Sequence, residues 1–380
     1  MKNDVFIVGA AETPLGEVKD HSEFSMLALA ADEALGEAGL SLSDVDGLLV
    51  NYMGEQGTVQ VSEYLGIAPR YCDSTDLGGA AFEAFVHHAQ LALQAGECDV
   101  ALIGFASRQR SKRQRSSLPP PIDSSSLTAQ FQTPAGLPLP IGHYALIAAR
   151  HMHEYGTTRE QLAHVAVAAR EWATRNPKAW EREPLTVDDV LGSRPICEPL
   201  HRLDCCLVTD GGGAIVLTRG DRAEDATKPA VRILGAAEAV SHWHITELDD
   251  LTTSPGAASA RRAFERAGIG PQDVDVLQPY DSFTITVLIA LEDLGFCKKG
   301  EGGPFVAEGV LAPGGELPSM TSGGGLSYNH PGALGVQLLI ESVRQLRGEA
   351  EDRQVPDAQI AVAHGVGGMM STASTVVLSR

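Results

Sequence analysis

The chain has 380 residues, of which 43% are hydrophobic, and a formal net charge of −20 at pH 7. Nucleic-acid binding requires clustered Lys and Arg side chains to neutralise phosphates, so this acidic balance excludes that class of protein. No run of about 20 apolar residues predicts a membrane span, and the N-terminus enters a strand-like segment without the basic and apolar regions of a secretory signal.

The six cysteines are spread along the chain and form neither a CxxC pair nor a metal-ligand spacing with histidine. A disulfide framework is not expected in so long a chain, so the cysteines predict reduced thiols, a cytoplasmic location and no metal site. They stand at Cys72, Cys98, Cys197, Cys205, Cys206 and Cys297.

The first hundred residues alternate between strand and helix patterns. Residues 4–12 read DVFIVGAAE, an apolar run typical of a buried strand. Residues 31–52, ADEALGEAGLSLSDVDGLLVNY, have helical spacing, a Gly stop, a polar turn and a short strand. An amphipathic helix, GAAFEAFVHHAQLALQAG, begins at Gly79, and residues 99–106, DVALIGFA, form the next predicted strand.

A long insertion follows, at about residues 108–180. It opens with a basic run, RQRSKRQR at 108–115, which either forms a solvated loop or meets an anionic ligand, such as coenzyme phosphates, or an acidic partner surface. A Pro- and Ser-rich stretch and a helical segment through residues 143–176 come next. Long insertions in compact folds often cover a binding cleft, and we expect the same here.

The patterns of the N-terminal segments return later in the chain in the same order. Residues 230–238, AVRILGAAE, repeat 4–12; residues 260–281, ARRAFERAGIGPQDVDVLQPYD, repeat 31–52; and the helix from Gly332 with the strand at 358–365 repeats the third unit. This predicts two similar halves, 1–225 and 226–380. Alternating strands and helices imply parallel pairing and sheets covered by helices, an α/β class of fold.

Four local patterns resemble those of thiolases, in the right order. They are RLDCCLVTDGGGAIVLT (202–218), PYDSFTITVLIALEDLGFCKKGEGG (279–303), SGGGLSYNHPGALG (322–335) and AHGVGGMMSTAS (363–374). The second resembles the sterol-carrier-protein type of thiolase, and the third and fourth resemble the loops GHPxGASG and CxGGGxG. The resemblance implies a thiolase fold, in which two similar βα halves form five layers, α-β-α-β-α.

The departures from the thiolase pattern bear on the chemistry. Thiolases place a nucleophilic Cys at the start of the helix that begins here with Gly79, and glycine cannot form an acyl-enzyme. The acid/base Cys of the last loop falls on His364, while the loop histidine is retained as His330. Cys72, seven residues before Gly79, would have to be redirected to replace the nucleophile.

Two tyrosines stand in motifs that converge on the thiolase cleft. Tyr280 opens the YDSF motif, and Tyr328 lies two residues before His330. The pairing resembles the cysteine-less, thiolase-like aldolases of bacterial steroid side-chain breakdown. That resemblance implies Tyr280, Tyr328 and His330 as catalytic residues, with no assignment of which tyrosine is the acid and which the base. Asp281, Asn329 and His364 are supporting candidates: Asp281 to orient the loop, Asn329 to do the same or to share an oxyanion hole, and His364 either catalytic or structural.

The function implied is a carbon–carbon lyase. It would cleave a bulky 3-hydroxyacyl-CoA, such as a steroid or bile-acid side chain, by a retro-aldol reaction, releasing a short acyl-CoA and a ketone or aldehyde. Acyl-CoA enters as substrate, and no cofactor is expected. By family analogy we also expect a homodimer core that binds a DUF35-type OB-fold and zinc-ribbon protein to form a heterotetramer.

Two other functions remain open at this stage. One is a non-catalytic thiolase-like subunit that binds or carries acyl-CoA. The other is an acyl-CoA acyltransferase that uses another nucleophile, with Cys72 as the candidate. Turnover would separate the first of these from the lyase, and labelling of Cys72 would test the second.

Overall fold

The computed structural model describes residues 4–112, 125–137 and 140–380. Its strands are β1 (Val5–Glu12), β2 (Gly47–Val50), β3 (Tyr71–Asp73), β4 (Val100–Arg108), β5 (Pro195–Cys197), β6 (Leu200–His201), β7 (Asp210–Arg219), β8 (Val231–Val240), β9 (Val276–Pro279), β10 (Ile360–Gly367) and β11 (Thr372–Ser379). Its helices are α1 (Glu23–Glu37), α2 (Gly57–Leu65), α3 (Ala81–Ala95), α4 (Ile141–Tyr155), α5 (Arg159–Thr174), α6 (Val187–Leu191), α7 (Gly220–Ala223), α8 (Gly256–Ala267), α9 (Thr284–Asp293), α10 (Gly302–Ala307) and α11 (Gly335–Arg347).

The main sheet consists of two parts with the same strand order. The N-terminal part runs β3-β2-β4-β7-β1, and the C-terminal part runs β8-β11-β10-β9. A bridge from Leu277 of β9 to Ser319 occupies the place that β3 holds beside β2. Two residue pairs between β1 and β8 join the two parts. The internal repeat seen in the sequence is therefore a repeat of sheet topology.

Strand direction differs in part from the prediction. The predicted parallel pairing holds between β2 and β3, between β2 and β4, and between β9 and β10. However, β7 is antiparallel to both β4 and β1, and β11 is antiparallel to both β10 and β8. The last strand of each part lies between two other strands and runs antiparallel to them: β7 lies between β4 and β1, and β11 lies between β10 and β8. Each part is therefore a mixed sheet.

Helices cover both faces of the two sheet parts. Helix α1 packs against β1, β4 and β7, and helix α8 packs against β8 and β11. Helices α3 and α11 touch each other and strands of both parts, so they form the middle layer. The largest hydrophobic cluster lies in this layer and includes Phe82, Phe85, Leu338 and Ile340. The predicted five-layered thiolase fold is confirmed.

The repeated GAAE sequences have a steric reason. A methyl group added at Gly9 of β1 would lie 1.8 Å from the Ala34 carbonyl oxygen of α1, and one added at Gly235 of β8 would lie 2.3 Å from that of Ala263 in α8. In each half, a glycine lets the outer helix approach the sheet.

The helices of the insertion pack on loops of the C-terminal part. The Trp172 indole of α5 donates a hydrogen bond to the Leu311 carbonyl at 2.9 Å, and Arg170 donates one to the Ser327 hydroxyl at 2.8 Å. The insertion therefore supports the loop that carries Tyr328 and His330.

Residues 113–115 of the basic run lie outside the described residues. Three of its earlier cations already contact the chain: Arg108 donates to the Val18 carbonyl, Arg110 stacks 4.3 Å from the Trp180 ring, and Lys112 pairs with Glu23. Across 4–112, 125–137 and 140–380, no helix combines the length and apolar character needed to cross a bilayer. All six cysteines are free thiols.

Candidate active site

A cavity of about 460 Å³ opens where α3 begins and where β9 and β10 end. Because β9 and β10 are parallel neighbours, their carboxyl ends bring two loops to one edge of the sheet. The wall is lined by Tyr52, Gly78, Gly79, Phe105, Ser107, Gln109, Pro140, Tyr144, Cys206, Tyr280, Ser282, Phe283, His330, Pro331, Gly332, Val366, Gly367 and Gly368. The predicted residues Gly79, Tyr280 and His330 are thus in one cavity.

Tyr280 and His330 form a hydrogen-bonded pair. The phenolic oxygen of Tyr280 lies 3.0 Å from Nε2 of His330, and the two rings meet edge to face at 84°. The Tyr280 N–H donates to the His364 carbonyl at 2.8 Å, and the His330 N–H donates to the Thr209 hydroxyl at 2.8 Å. Backbone bonds on both sides therefore fix the pair.

Burial keeps both members of this pair uncharged. It lowers the pKa of the His330 imidazole to about 4 and raises the pKa of the Tyr280 phenol well above 10. At neutral pH the site thus holds a phenol beside a neutral imidazole. Such a pair can accept one proton, which gives it one positive charge, and can return that proton later, which makes it neutral again.

The ring of Tyr280 occupies the space that a nucleophile would need. A Cβ atom added at Gly79 would lie 2.5 Å from Cε2 of Tyr280 and 2.4 Å from the Val366 carbonyl oxygen. Glycine at position 79 therefore leaves a space where thiolases have a cysteine side chain, and the Tyr280 ring fills that space.

Tyr328 does not reach the cavity, contrary to the expectation that both tyrosines converge there. Its hydroxyl hydrogen-bonds to the Glu12 carboxylate, and its buried ring packs with Ala173, Ala179 and Leu15. Tyr328 ends a π-helical turn at Gly324–Tyr328, and His330, two residues later, lines the cavity while Tyr328 does not. The structure brings Tyr280 and His330 together, but not Tyr328.

Asp281 is hydrogen-bonded to the glycine-rich loop. Its carboxylate accepts hydrogen bonds from the N–H groups of Gly325 at 2.6 Å and Leu326 at 3.0 Å. Burial raises its pKa to about 7. Asn329 is buried beside Gly211 and does not line the cavity. Its side-chain amide has no hydrogen-bond partner among the described residues.

His364 lies outside the cavity. Its Nδ1 is 2.9 Å from the Thr375 hydroxyl, its ring faces Gly256 at the start of α8, and burial lowers its pKa to about 4. These contacts belong to the packing between β10, β11 and the outer helix. They favour the structural interpretation of His364 over the catalytic one.

Of the cysteines that bear on a replacement nucleophile, Cys72 lies outside the cavity and Cys206 lines it. Cys72 is exposed on the edge strand β3, outside the cavity wall, and partial burial raises its pKa. Cys206 does line the cavity, but complete burial raises the pKa of its thiol and so disfavours the thiolate that a nucleophile needs.

The sequence analysis missed Cys206 as a cavity residue, although it lies in the thiolase-like segment 202–218. It also missed Tyr144, whose hydroxyl donates to the Gly368 carbonyl at 3.1 Å from the inserted helix α4. A third residue that it missed is Glu83, a buried glutamate one helical turn beyond Gly79. Only Cys206 had a sequence signal that could have found it.

Metal-type donors cluster away from this cavity. Within the described part of the chain, His87, His88 and Glu238 place ligand-type atoms within 4.8 Å of one another. His87 already bonds to Glu238 through Nδ1 at 2.5 Å and to Arg266 through Nε2 at 2.8 Å. A guanidinium can only donate, so both nitrogens of His87 are engaged in a charge network.

Comparisons with known proteins agree with this geometry. Residues 237–380 match the family described as "Thiolase C-terminal domain-like". Over 95% of its length, the chain is 37% identical to 96% of the 17-hydroxy-3-oxo-4-pregnene-20-carboxyl-CoA lyase of Mycobacterium tuberculosis. Over 99% of its length, it is 32% identical to all of an acetyl-CoA acetyltransferase of Methanothermobacter thermautotrophicus.

A solved structure named "Ltp2-ChsH2(DUF35) aldolase" superposes on the whole chain with a TM-score of 0.91, at 32% identity and over 98% of that chain. The relatives named as lyase and aldolase confirm the predicted class of enzyme, an aldolase. The chain belongs to the thiolase superfamily and resembles its carbon–carbon-cleaving members.

Proposed function

We propose that the protein cleaves a bulky 3-hydroxyacyl-CoA by a retro-aldol reaction, giving a short acyl-CoA and a ketone or aldehyde. The observation that carries the proposal is the Tyr280–His330 pair, which lies where a thiolase would need its sulfur. A steroid or bile-acid side chain is the substrate class we favour, because a relative 37% identical is named for a pregnene carboxyl-CoA.

In net terms the reaction transfers one proton from the substrate hydroxyl to the enolate carbon, through a relay of Tyr280 and His330. The hydroxyl proton of the substrate passes to the Tyr280 oxygen while the phenolic proton moves to Nε2 of His330. The carbon–oxygen double bond forms, the Cα–Cβ bond breaks, and its electron pair becomes a thioester enolate. The proton then returns through Tyr280 to the enolate carbon. The site ends in its starting state, and no oxidant or cofactor is consumed.

The enolate oxygen carries the charge that develops. The turn at Gly78 and Gly79 lines the cavity and leads directly into α3. The N-terminal end of a helix favours negative charge, because its first N–H groups lack partners within the helix. We therefore place the thioester oxygen at this end and the hydroxyl at Tyr280.

The assembly we propose is a homodimer core with a DUF35-type OB-fold and zinc-ribbon protein as partner. A structure matched at a TM-score of 0.91 carries DUF35 in its name, which supports the DUF35-type partner. Among the described residues, β3 pairs only with β2, so its outer edge can pair with a second copy.

The test is to incubate the protein, with and without a DUF35-type partner, with 3-hydroxyacyl-CoA thioesters and to follow short acyl-CoA and carbonyl product by mass spectrometry. Tyr280→Phe removes the shuttled proton, and we expect kcat to fall about 10²- to 10⁴-fold. Tyr328→Phe is the matched control. We expect it to keep kcat within about tenfold and to lose about 1–3 kcal/mol of stability, because Glu12 loses a buried partner.

Full cleavage by Tyr280→Phe would rule out this mechanism. Binding of the thioester without turnover under every partner condition would instead favour the non-catalytic subunit. Transfer of the acyl group to free CoA or another acceptor would favour the acyltransferase.

A further inference from the structure

One buried titratable side chain beside the cavity has no part in the mechanism above. Glu83 of α3 is fully buried, and neither of its carboxylate oxygens has a hydrogen-bond partner among the described residues. Two glycines enclose it. A methyl group added at Gly335 of α11 would lie 2.5 Å from Oε2, and one added at Gly365 of β10 would lie 2.3 Å from it. Only backbone without a side chain can approach so closely.

This niche suits an acid better than a carboxylate. The carbonyl oxygen of Gly79 lies 2.9 Å from the same added methyl at Gly335, so a second acceptor oxygen borders the niche. A carboxylate has only acceptors and gains nothing from a carbonyl, whereas an uncharged acid can donate its O–H. Burial also raises the pKa of Glu83 to about 8. The group is therefore uncharged at neutral pH.

Glu83 and Tyr280 both lie against Gly79. The Tyr280 ring packs where a Gly79 side chain would stand, and the Gly79 carbonyl oxygen and the Glu83 carboxyl both border Gly335. The start of α11 also connects them, because the Leu334 N–H faces the Tyr280 hydroxyl and Gly335 faces Glu83. A negative charge on Glu83 would raise the pKa of Tyr280 further, in surroundings that water does not screen.

We infer that Glu83 is a positioning residue for Tyr280: it stays uncharged while the phenol passes its proton on, and its ionisation switches that transfer off. The inference rests on the proposed function, since it assigns a control to the same proton shuttle. Buried carboxylic acids held neutral near a reacting group are an established device of enzymes.

Other charged groups near this niche are engaged elsewhere. The charged side chains of α11 are paired as Glu341 with Arg353, Arg344 with Glu12, and Arg347 with Glu37. On β10, the His364 ring faces α8 instead. No other titratable side chain contributes to the shift in the pKa of Glu83.

The test compares the pH dependence of kcat in the wild type and in Glu83→Gln, which is uncharged at every pH. Because the pKa of Glu83 is about 8, we expect wild-type kcat to fall about tenfold between pH 7 and pH 9. We expect Glu83→Gln to match the wild type at pH 7 within about threefold and to hold that rate at pH 9. KM should stay within about threefold throughout.

Glu97→Gln, an exposed change just beyond the same helix, is the matched control and should follow the wild-type profile. Thermal unfolding of each variant at each pH separates loss of the fold from loss of proton transfer. An infrared difference titration, subtracting Glu83→Gln, should show a protonated carboxyl at pH 7 that disappears by pH 9.

Two results would overturn the inference while leaving the proposed function standing. One is a folded Glu83→Gln enzyme that loses tenfold or more of kcat at pH 7, because Glu83 would then supply a proton itself. The other is a pH profile identical to that of the wild type. If no 3-hydroxyacyl-CoA is cleaved, the proposed function fails. The infrared titration then still tests the protonation state of Glu83, and an ionised Glu83 carboxylate at pH 7 overturns the inference.

Discussion

A side chain at position 79 and the ring of Tyr280 would occupy the same space, and this limits what a cysteine introduced at position 79 can do. A Cβ atom at position 79 would lie 2.4–2.5 Å from the Val366 carbonyl oxygen and the Tyr280 ring. We expect Gly79→Cys to cost about 1–3 kcal/mol in urea unfolding, as overpacking of a core does. Intact mass spectrometry after addition of acetyl-CoA should show no acyl adduct.

Gly36→Ala is the control for that substitution. Position 36 lies in α1 with nothing within 4 Å of an added methyl group, so alanine should be neutral or stabilising by up to about 1 kcal/mol. Wild-type stability together with acylation of Gly79→Cys would contradict the steric argument.

Single residues were predictable where a motif fixes the backbone position. Gly79, Tyr280 and His330 were placed by helix starts and loop patterns, and the structure joins them in one cavity. Tyr328 was misplaced because spacing in a glycine-rich loop does not tell which way a side chain points. Glu83 was missed because one glutamate on an amphipathic helix resembles a solvated residue until the opposing glycines are seen.

At the scale of elements, Glu12 connects β1 to α11. Its carboxylate accepts from Arg344 and Lys178, both at 3.0 Å. Burial opposes its ionisation, but these two cations outweigh burial and lower its pKa from 4.5 to about 2. The folded pKa is below the unfolded one, so the stabilisation is present above pH 4.5 and is lost as pH falls toward 2.

We therefore expect Glu12→Gln to lower the free energy of unfolding at pH 7 by on the order of 2–3 kcal/mol. The difference from the wild type should shrink between pH 4.5 and pH 2. Urea denaturation at several pH values measures it, with Glu63→Gln on the exposed face of α2 as a control. A difference that does not depend on pH would show that packing, not charge, is responsible.

Elements were predictable to the extent that their periodicity is local. The strand–helix–strand units and the repeat were visible in the sequence, and so was the order of layers once the resemblance was recognised. The antiparallel insertion of β7 was not, because its partners β4 and β1 lie about 110 and about 210 residues earlier in the chain, and that of β11 was not, because its partner β8 lies about 140 residues earlier. The inserted helices were expected, but their packing against the loops at Leu311 and Ser327 was not derivable from spacing.

For the whole molecule, the two halves are joined by reciprocal contacts. Glu12, at the end of β1, reaches Arg344 of α11, and Glu238, in the equivalent GAAE of β8, reaches His87 and His88 of α3. Hydrogen bonds from His88 to Asp73 and Glu238 raise the pKa of its imidazole to about 9. The first strand of each half is thus bonded to the buried helix of the other.

This arrangement predicts that neither half folds alone. Helices α3 and α11 share one hydrophobic cluster, so residues 1–225 or 226–380 alone would expose it to water. We expect each fragment to lack a cooperative thermal transition, and the two co-expressed fragments to associate into a complex with one. A sharp transition in an isolated fragment would show that the predicted halves are independent domains.

The shared volume of Gly79 and Tyr280 also bears on the order of substitutions along a lineage. If Gly79 is replaced by cysteine first, the new side chain clashes with the Tyr280 ring. If Tyr280 is replaced by a smaller residue first, the site loses the hydroxyl that our mechanism needs. Each first step loses one activity before the other is available. We therefore expect a change between the two chemistries to require substitutions at both positions, Gly79 and Tyr280.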